Sequence, residues 1–241
     1  MSALTANAIW HDVECGAYAA DLPFWEELAK RGGGTVLELG CGTGRVALHL
    51  ARRGYEVVGL DADAELLSVL DGRGAELPVS TLYADATCFE LEDPASLVLA
   101  PTHLLQLLDD AGERADSLRC IAAALQPGGL FAAAIIEELP EPDDAPPPLP
   151  DVREVDGWVY SSLATEVAVG PDELLVRRLR QMVSPEGSLS EEPNEVRIAT
   201  FSAETLEAEA AAFGLLPAGR HEIPPTDLHV GSLVVLLERG A

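Results

Sequence analysis

The sequence predicts an α/β fold: a mostly parallel sheet with helices on both faces and a small antiparallel β insertion toward the C-terminal end. Three observations predict it. Short apolar runs alternate with helical patterns up to residue 136. The first run feeds a loop in which every second residue is glycine, Gly40-Cys41-Gly42-Thr43-Gly44. After residue 150 the chain turns β-rich, and helical spacing returns only after Ser202.

The elements follow in order. Thr35, Val36, Leu37 and Leu39 read as a strand that runs into the glycine turn, where the backbone bends sharply and leaves no Cβ in a ligand's way. Arg45–Arg53 reads as a helix, with Val46/Leu50 and Ala47/Ala51 stacked at i,i+4 and Gly54 as its stop. Glu56–Leu60 is a second strand, ending in Asp61, and Asp63 caps a helix over Ala64–Leu70. Val79–Tyr83 is a third strand, closed by Ala84-Asp85-Ala86, and Ser96–Ala100 a fourth. Asp110 and Glu113 open a helix with an apolar face of Ala115, Leu118, Ile121, Ala122 and Leu125. Gln126-Pro127-Gly128-Gly129 stops that helix, and Leu130–Ile136 is a fifth strand.

The stretch from Glu137 to Pro150 is rich in proline and acid and reads as an extended exposed connection. Trp158–Val169 and Glu173–Val183 form a hairpin about Gly170-Pro171-Asp172, with Glu195–Phe201 as a third strand. Ser202 caps a helix over Ala203–Phe213 that ends at Gly214, and Val230–Glu238 closes the main sheet.

Strand, glycine turn and helix in this order build a nucleotide-type site at the carboxyl end of a parallel strand. Glu38 narrows the choice. A dinucleotide fold turns this loop toward an anionic pyrophosphate, which a carboxylate two residues before the first glycine would repel. That carboxylate suits an ammonium or sulfonium. Gly42-x-Gly44-x-x-Ala47 still satisfies the relaxed dinucleotide pattern, so glycine spacing does not separate the two. Asp61, twenty-one residues after Gly40, suits ribose hydroxyls in either case.

Glu38 with Gly40-x-Gly42-x-Gly44 resembles the first motif of the class I S-adenosylmethionine-dependent methyltransferases of the small bacterial small-molecule type. The resemblance covers residues 21–136 and includes the segment Asp21–Ala29, similar to that family's N-terminal helix. It implies a Rossmann-like sheet of seven strands and S-adenosyl-L-methionine as cofactor. It also implies a cofactor site of Glu38, Gly40, Cys41, Gly42, Gly44, Arg45, Asp61, Ala62, Asp85, Ala86 and Ala100, with Asp85 on the adenine amino group. Two positions depart from the pattern: Ala62 is smaller than the usual apolar contact to adenine, and Ser96 stands where an acid often opens the fourth strand. Arg45 sits in the first helical turn, where the macrodipole disfavours a cation; Glu38 or the methionyl carboxylate is the expected partner.

His103, just past the fourth strand, is the catalytic candidate, a neutral imidazole that takes a proton from the acceptor. Capping or packing is the alternative role. His229 is a weaker candidate, dependent on the insertion folding over. Trp158 and Tyr160 share a strand face and serve an acceptor or the domain's own core.

The chain has 241 residues, 48% of them hydrophobic, which suits one domain organised as 1–136 cofactor core, 137–201 acceptor lid and 202–241 last helix and closing strands of the core. Acids number 41 against 15 Lys plus Arg, a formal charge of −26, which repels phosphate backbones and argues against nucleic acid. The four cysteines show no metal-type spacing, and no metal is expected. No secretory order or membrane-length apolar run is found, so the expected location is the cytoplasm. The expected partner is a small-molecule methyl acceptor, with a homo-oligomer also compatible. The reading is methyl transfer to N or O of a small molecule; the alternatives are an NAD-type oxidoreductase and a non-catalytic S-adenosylmethionine-binding scaffold.

Overall fold

A computed structural model describes residues 5–137, 149–226 and 229–240. In chain order the elements are α1 (Ala6–Cys15), α2 (Leu22–Gly32), β1 (Val36–Leu39), α3 (Arg45–Ala51), β2 (Val57–Asp61), α4 (Ala64–Gly74), β3 (Val79–Tyr83) and β4 (Ala95–Ala100). A 3-10 turn at Leu104–Gln106, α5 (Ala111–Ala124), β5 (Leu125–Ile135), β6 (Asp151–Val155), β7 (Trp158–Val169) and β8 (Glu173–Val183) follow. The chain then gives β9 (Leu189–Ala199), α6 (Ala203–Ala211), β10 (Leu215–Ile223) and β11 (Ser232–Arg239).

Seven strands form the main sheet in the order β10-β11-β5-β4-β1-β2-β3. β1 pairs in parallel with β2 and β4, and β11 is antiparallel to β5. Every residue of β1 and β4 is buried, because helices cover both faces and the central strands are apolar throughout. On one face α2, α3 and α4 pack Trp25, Leu28, Leu50 and Leu70 against the sheet; on the other α5 and α6 pack Leu118, Ile121 and Leu206. The expected seven-stranded, mostly parallel sheet with helices on both faces is therefore observed.

The expected caps are present. Asp63 accepts from the N–H groups of Glu65 and Leu66, Asp110 from those of Gly112 and Glu113, and Ser202 from that of Thr205. Glu113 reaches back to the N–H of Asp109 at 2.9 Å, one residue earlier than a capping box requires. The hairpin β7–β8 matches its expected bounds and belongs to an antiparallel sheet of order β6-β7-β8-β9.

Two elements were not expected: α1 precedes the segment that resembles the family's N-terminal helix, and β6 precedes the hairpin. β10, the far edge of the main sheet, is a closing strand whose position the sequence did not mark. β10 contains Pro217 and Gly219 at a register shift, which an edge strand tolerates. Most of the expected connection at Glu137–Pro150 lies outside the described residues.

Candidate cofactor and acceptor site

Gly40, Gly42 and Gly44 have φ of 62°, 54° and 93°, a conformation that costs L side chains energy. A Cβ on Gly40 would lie 2.8 Å from Leu104, and one on Gly42 only 2.1 Å from Nε2 of His11. Both turn geometry and close approach therefore require glycine here. Cys41 is buried inside the loop, and burial pushes its thiol far up, so it is no nucleophile.

Glu38, the penultimate residue of β1, is buried at 3% exposure. The N–H of Ala47 in α3 donates to its carboxylate, while Oε2 has no partner among the described residues. Burial pushes this carboxyl up to about 8. A buried acid lacking a partner destabilises the free chain and is the group that a cationic ligand would satisfy.

Asp61 ends β2. Its Oδ2 accepts from the Gly42 N–H at 2.8 Å and its Oδ1 from the Asp63 N–H at 2.9 Å. The carboxylate thus fixes the glycine loop, and each oxygen retains a lone pair for a hydroxyl donor. Asp85 follows β3, is exposed, and takes the Thr87 N–H and Oγ1–H on Oδ1. Those bonds hold its carboxyl below the usual range. Ala62 is exposed, Ala86 half-buried and Ala100 fully buried at the end of β4. The named positions lie at the carboxyl ends of neighbouring strands β4, β1, β2 and β3.

Arg45 differs from expectation. Its partner is Asp21, with NH1 2.6 Å from Oδ1 and NH2 2.8 Å from Oδ2, both side chains buried. Asp21 also accepts from Trp25 Nε1 at 2.7 Å. The bidentate pair neutralises the cation in the first turn of α3, so Glu38 is not needed for it. Nothing in the sequence marked Asp21 for this role; it starts α2 and makes no side-chain cap bond.

Past β4, Thr102 and His103 take φ of 57° and 64°. Two successive non-glycine residues in the left-handed region, one of them β-branched, cost about 1–3 kcal/mol each. The turn presents His103 near Arg45, whose NH2 lies 3.5 Å from Thr102 Oγ1. Burial brings the imidazole down to about 4, with Asp21 opposing and Arg45 reinforcing the shift. It is therefore neutral at pH 7.

The same pole gathers residues that sequence reasoning missed or discounted. The ring of Tyr18 lies 5.0 Å from the Arg45 guanidinium and 4.8 Å from the ring of His229, whose buried Nε2 has no partner among the described residues. Since β11 runs antiparallel to β5, the segment before it returns to the end where β5 finishes, which brings His229 there. α1 covers the glycine loop: His11 Nδ1 lies 3.2 Å from Thr43 Oγ1, which donates to Asp12 Oδ1 at 2.6 Å. Glu14 ties α1 to the second sheet through Arg180 and Ser162, each at 2.8 Å. Tyr160 packs edge-on against Trp10 of α1 at 5.3 Å and so serves the core, while Trp158 is exposed. His49 meets Glu26, and His221 stacks on Phe24 at 3.7 Å. Among the described residues no cluster fit for a metal is found.

The unpaired Glu38 oxygen, the loop-fixing Asp61 and the glycine turn fit a ligand that carries both an ammonium and a ribose. Residues 36–129 match a family model described as a methyltransferase domain. A ubiquinone biosynthesis O-methyltransferase of Hahella chejuensis is 33% identical over 115 residues, 47% of this chain and 48% of that protein. The cypemycin N-terminal methyltransferase of a Streptomyces species is 33% identical over 97 residues, 40% of each. The chain thus spans less than half the length of these relatives. The sugar N-methyltransferase KedS8 from Streptoalloteichus superposes with a TM-score of 0.76 over 100% of this chain and 95% of that one, at 18% identity. The S-adenosylmethionine-bound aminopentose methyltransferase CalS10 from Micromonospora echinaspora gives 0.71 over 99% and 98%, at 16% identity. Those two likenesses establish the fold. Residues 36–129 are thus similar to a methyltransferase domain, on a fold that this chain shares with solved methyltransferases.

Proposed function

We propose that this chain transfers a methyl group from S-adenosylmethionine to a nitrogen or oxygen of a small molecule. The observation that carries the reading is the buried Glu38 carboxylate with an unpartnered oxygen beside the glycine loop. Burial keeps a proton on it in the free chain at pH 7; a methionyl ammonium would draw that proton off and pair with the carboxylate, whereas a pyrophosphate would gain nothing from it. Asp61 would hold the ribose hydroxyls, and Asp85 with the backbone at Ala86 the adenine edge.

When bound, the cofactor supplies an electrophilic methyl carbon on a good leaving group. The protein's share is alignment, worth up to about 7–11 kcal/mol in ideal cases. His103 is neutral at pH 7, so its lone pair is open to the N–H or O–H of the acceptor. It orients that group and takes its proton as charge develops. Tyr18 and His229 supply polar walls, which suits an amine- or hydroxyl-bearing acceptor. The solved neighbours described as sugar and aminopentose N-methyltransferases, and the ubiquinone O-methyltransferase relatives, support a small-molecule acceptor.

The test is a panel of small amines, amino sugars and phenols incubated with cofactor and read by mass spectrometry. At least one should gain a methyl group, and His103→Asn should slow that turnover about 10²–10⁴-fold. No methylated product across the panel, or undiminished turnover in the variant, would count against the assigned roles.

A further inference from the structure

Beside the glycine loop, a cleft of about 350 Å³ opens between α1, the start of α2, α3 and α4, with Thr43 and Gly44 on its wall. Four of the chain's 15 basic residues line it, namely Arg45, Arg52, Arg73 and Arg153, with Asp12 as the one acid. Asp12 is buried and shared: Arg73 bonds both of its oxygens, Arg153 lies 2.8 Å from Oδ2, and Thr43 donates to Oδ1. Arg52 has no acidic partner among the described residues.

This balance is inverted relative to the rest of the molecule. Arg114 and Arg180 each have a carboxylate to themselves, and Arg220 has two. In the cleft, Arg45 is matched by Asp21, but Arg73 and Arg153 share one carboxylate and Arg52 has none. Two positive charges are left over in a chain of formal charge −26. At physiological ionic strength fields decay over about 8 Å, so these local cations outweigh the distant acids. Planar guanidinia also match the paired oxygens of a phosphoryl group.

We propose that this cleft is a binding site for a small phosphorylated dianion, held by Arg52, Arg73 and Arg153 with Asp12 fixing the latter two. The cleft adjoins the proposed methyl-transfer site and shares Gly44, Arg45 and Tyr18 with it, but Glu38, Asp61, Asp85 and His103 do not line it. The three arginines that hold the anion lie outside that site, so the inference does not rest on that assignment. Arg153 belongs to β6 of the second sheet and Arg73 to α4 of the core, so an anion here would bridge the two.

Inorganic pyrophosphate is the probe, titrated into the full chain by calorimetry with sodium chloride holding ionic strength constant. Binding is expected, with Arg52→Ala and Arg153→Ala each about tenfold weaker. Arg52 is exposed and unpaired, and Arg153→Ala leaves Asp12 with Arg73 and Thr43, so both variants should keep the wild-type circular dichroism spectrum. S-adenosylhomocysteine should not displace the probe. No binding to wild type, equal binding by both variants, or displacement by the nucleoside would each overturn the proposal.

Discussion

Replacing His103 with Asn should alter how stability depends on pH, and it tests whether a neutral base stands at the end of β4. Asn is chosen because position 103 has φ of 64°, a conformation that Asn tolerates and Ala does not. Burial lowers the imidazole from 6.5 to about 4. Because the folded value is depressed, the neutral side chain costs nothing above pH 6.5. Below that the unfolded chain takes up a proton that the folded chain refuses. The linked loss is about 2 kcal/mol at pH 5 and about 3 kcal/mol once pH passes below 4. Wild type alone will not display it, because Glu38 titrates the other way. Its carboxyl is raised to about 8, so the folded chain gains stability as pH falls from 8 toward 4.5. The difference between wild type and His103→Asn cancels Glu38 and every other group. Urea unfolding at pH 7 and pH 5 measures it. The wild type should lose about 2 kcal/mol more than the variant between those values. Equal changes in both proteins would refute the buried, neutral imidazole and with it the assigned base.

Three further outcomes follow from the same geometry. Asp21→Ala strands the buried Arg45 guanidinium and should cost about 3–5 kcal/mol in denaturant unfolding, far more than loss of a surface pair; a cost under about 1 kcal/mol would mean Arg45 finds another partner. Glu38→Gln should stabilise the ligand-free protein by on the order of 3 kcal/mol at pH 7, as it removes a carboxyl that the fold must keep protonated between pH 4.5 and 8 while the unfolded chain ionises it. Wild type should release a proton on binding S-adenosylhomocysteine near pH 7, read by calorimetry in buffers of differing ionisation enthalpy, and the same variant should abolish that release. Asp61→Asn should weaken binding of that nucleoside and also lower the melting temperature, since Asp61 holds the Gly42 N–H; unchanged affinity would remove Asp61 from the site.

What the sequence made legible was local. The strand at Val36–Leu39, the glycine loop and α3 announce themselves because apolar spacing, positive-φ glycines and a helix stop fall within twenty residues. The β7–β8 hairpin is likewise written in its turn, Gly170-Pro171-Asp172. What stayed hidden depends on partners remote in the chain. α1 is short, and its buried face is defined by Tyr160 and the second sheet, about 150 residues later. β10 is masked by Pro217 and Gly219, which read as breakers and are tolerated at an edge. The pairing of Arg45 with Asp21 crosses 24 residues, and neither residue type nor spacing distinguishes it from a pairing with Glu38. His229 reaches the pole where Tyr18 and Arg45 lie only because β11 runs antiparallel to β5. The left-handed backbone at Thr102 and His103 has no local sequence signal at all.

The central claim is that the glycine loop and Glu38 hold a cationic sulfur nucleoside and not a dinucleotide. Thermal melts with S-adenosylhomocysteine and with NAD, each at a hundredfold excess over its dissociation constant or at its solubility limit, test it most directly. S-adenosylhomocysteine should stabilise the protein by about 2.7 kcal/mol and NAD should leave the melt unmoved. Stabilisation by NAD with none from the sulfur nucleoside would contradict the account.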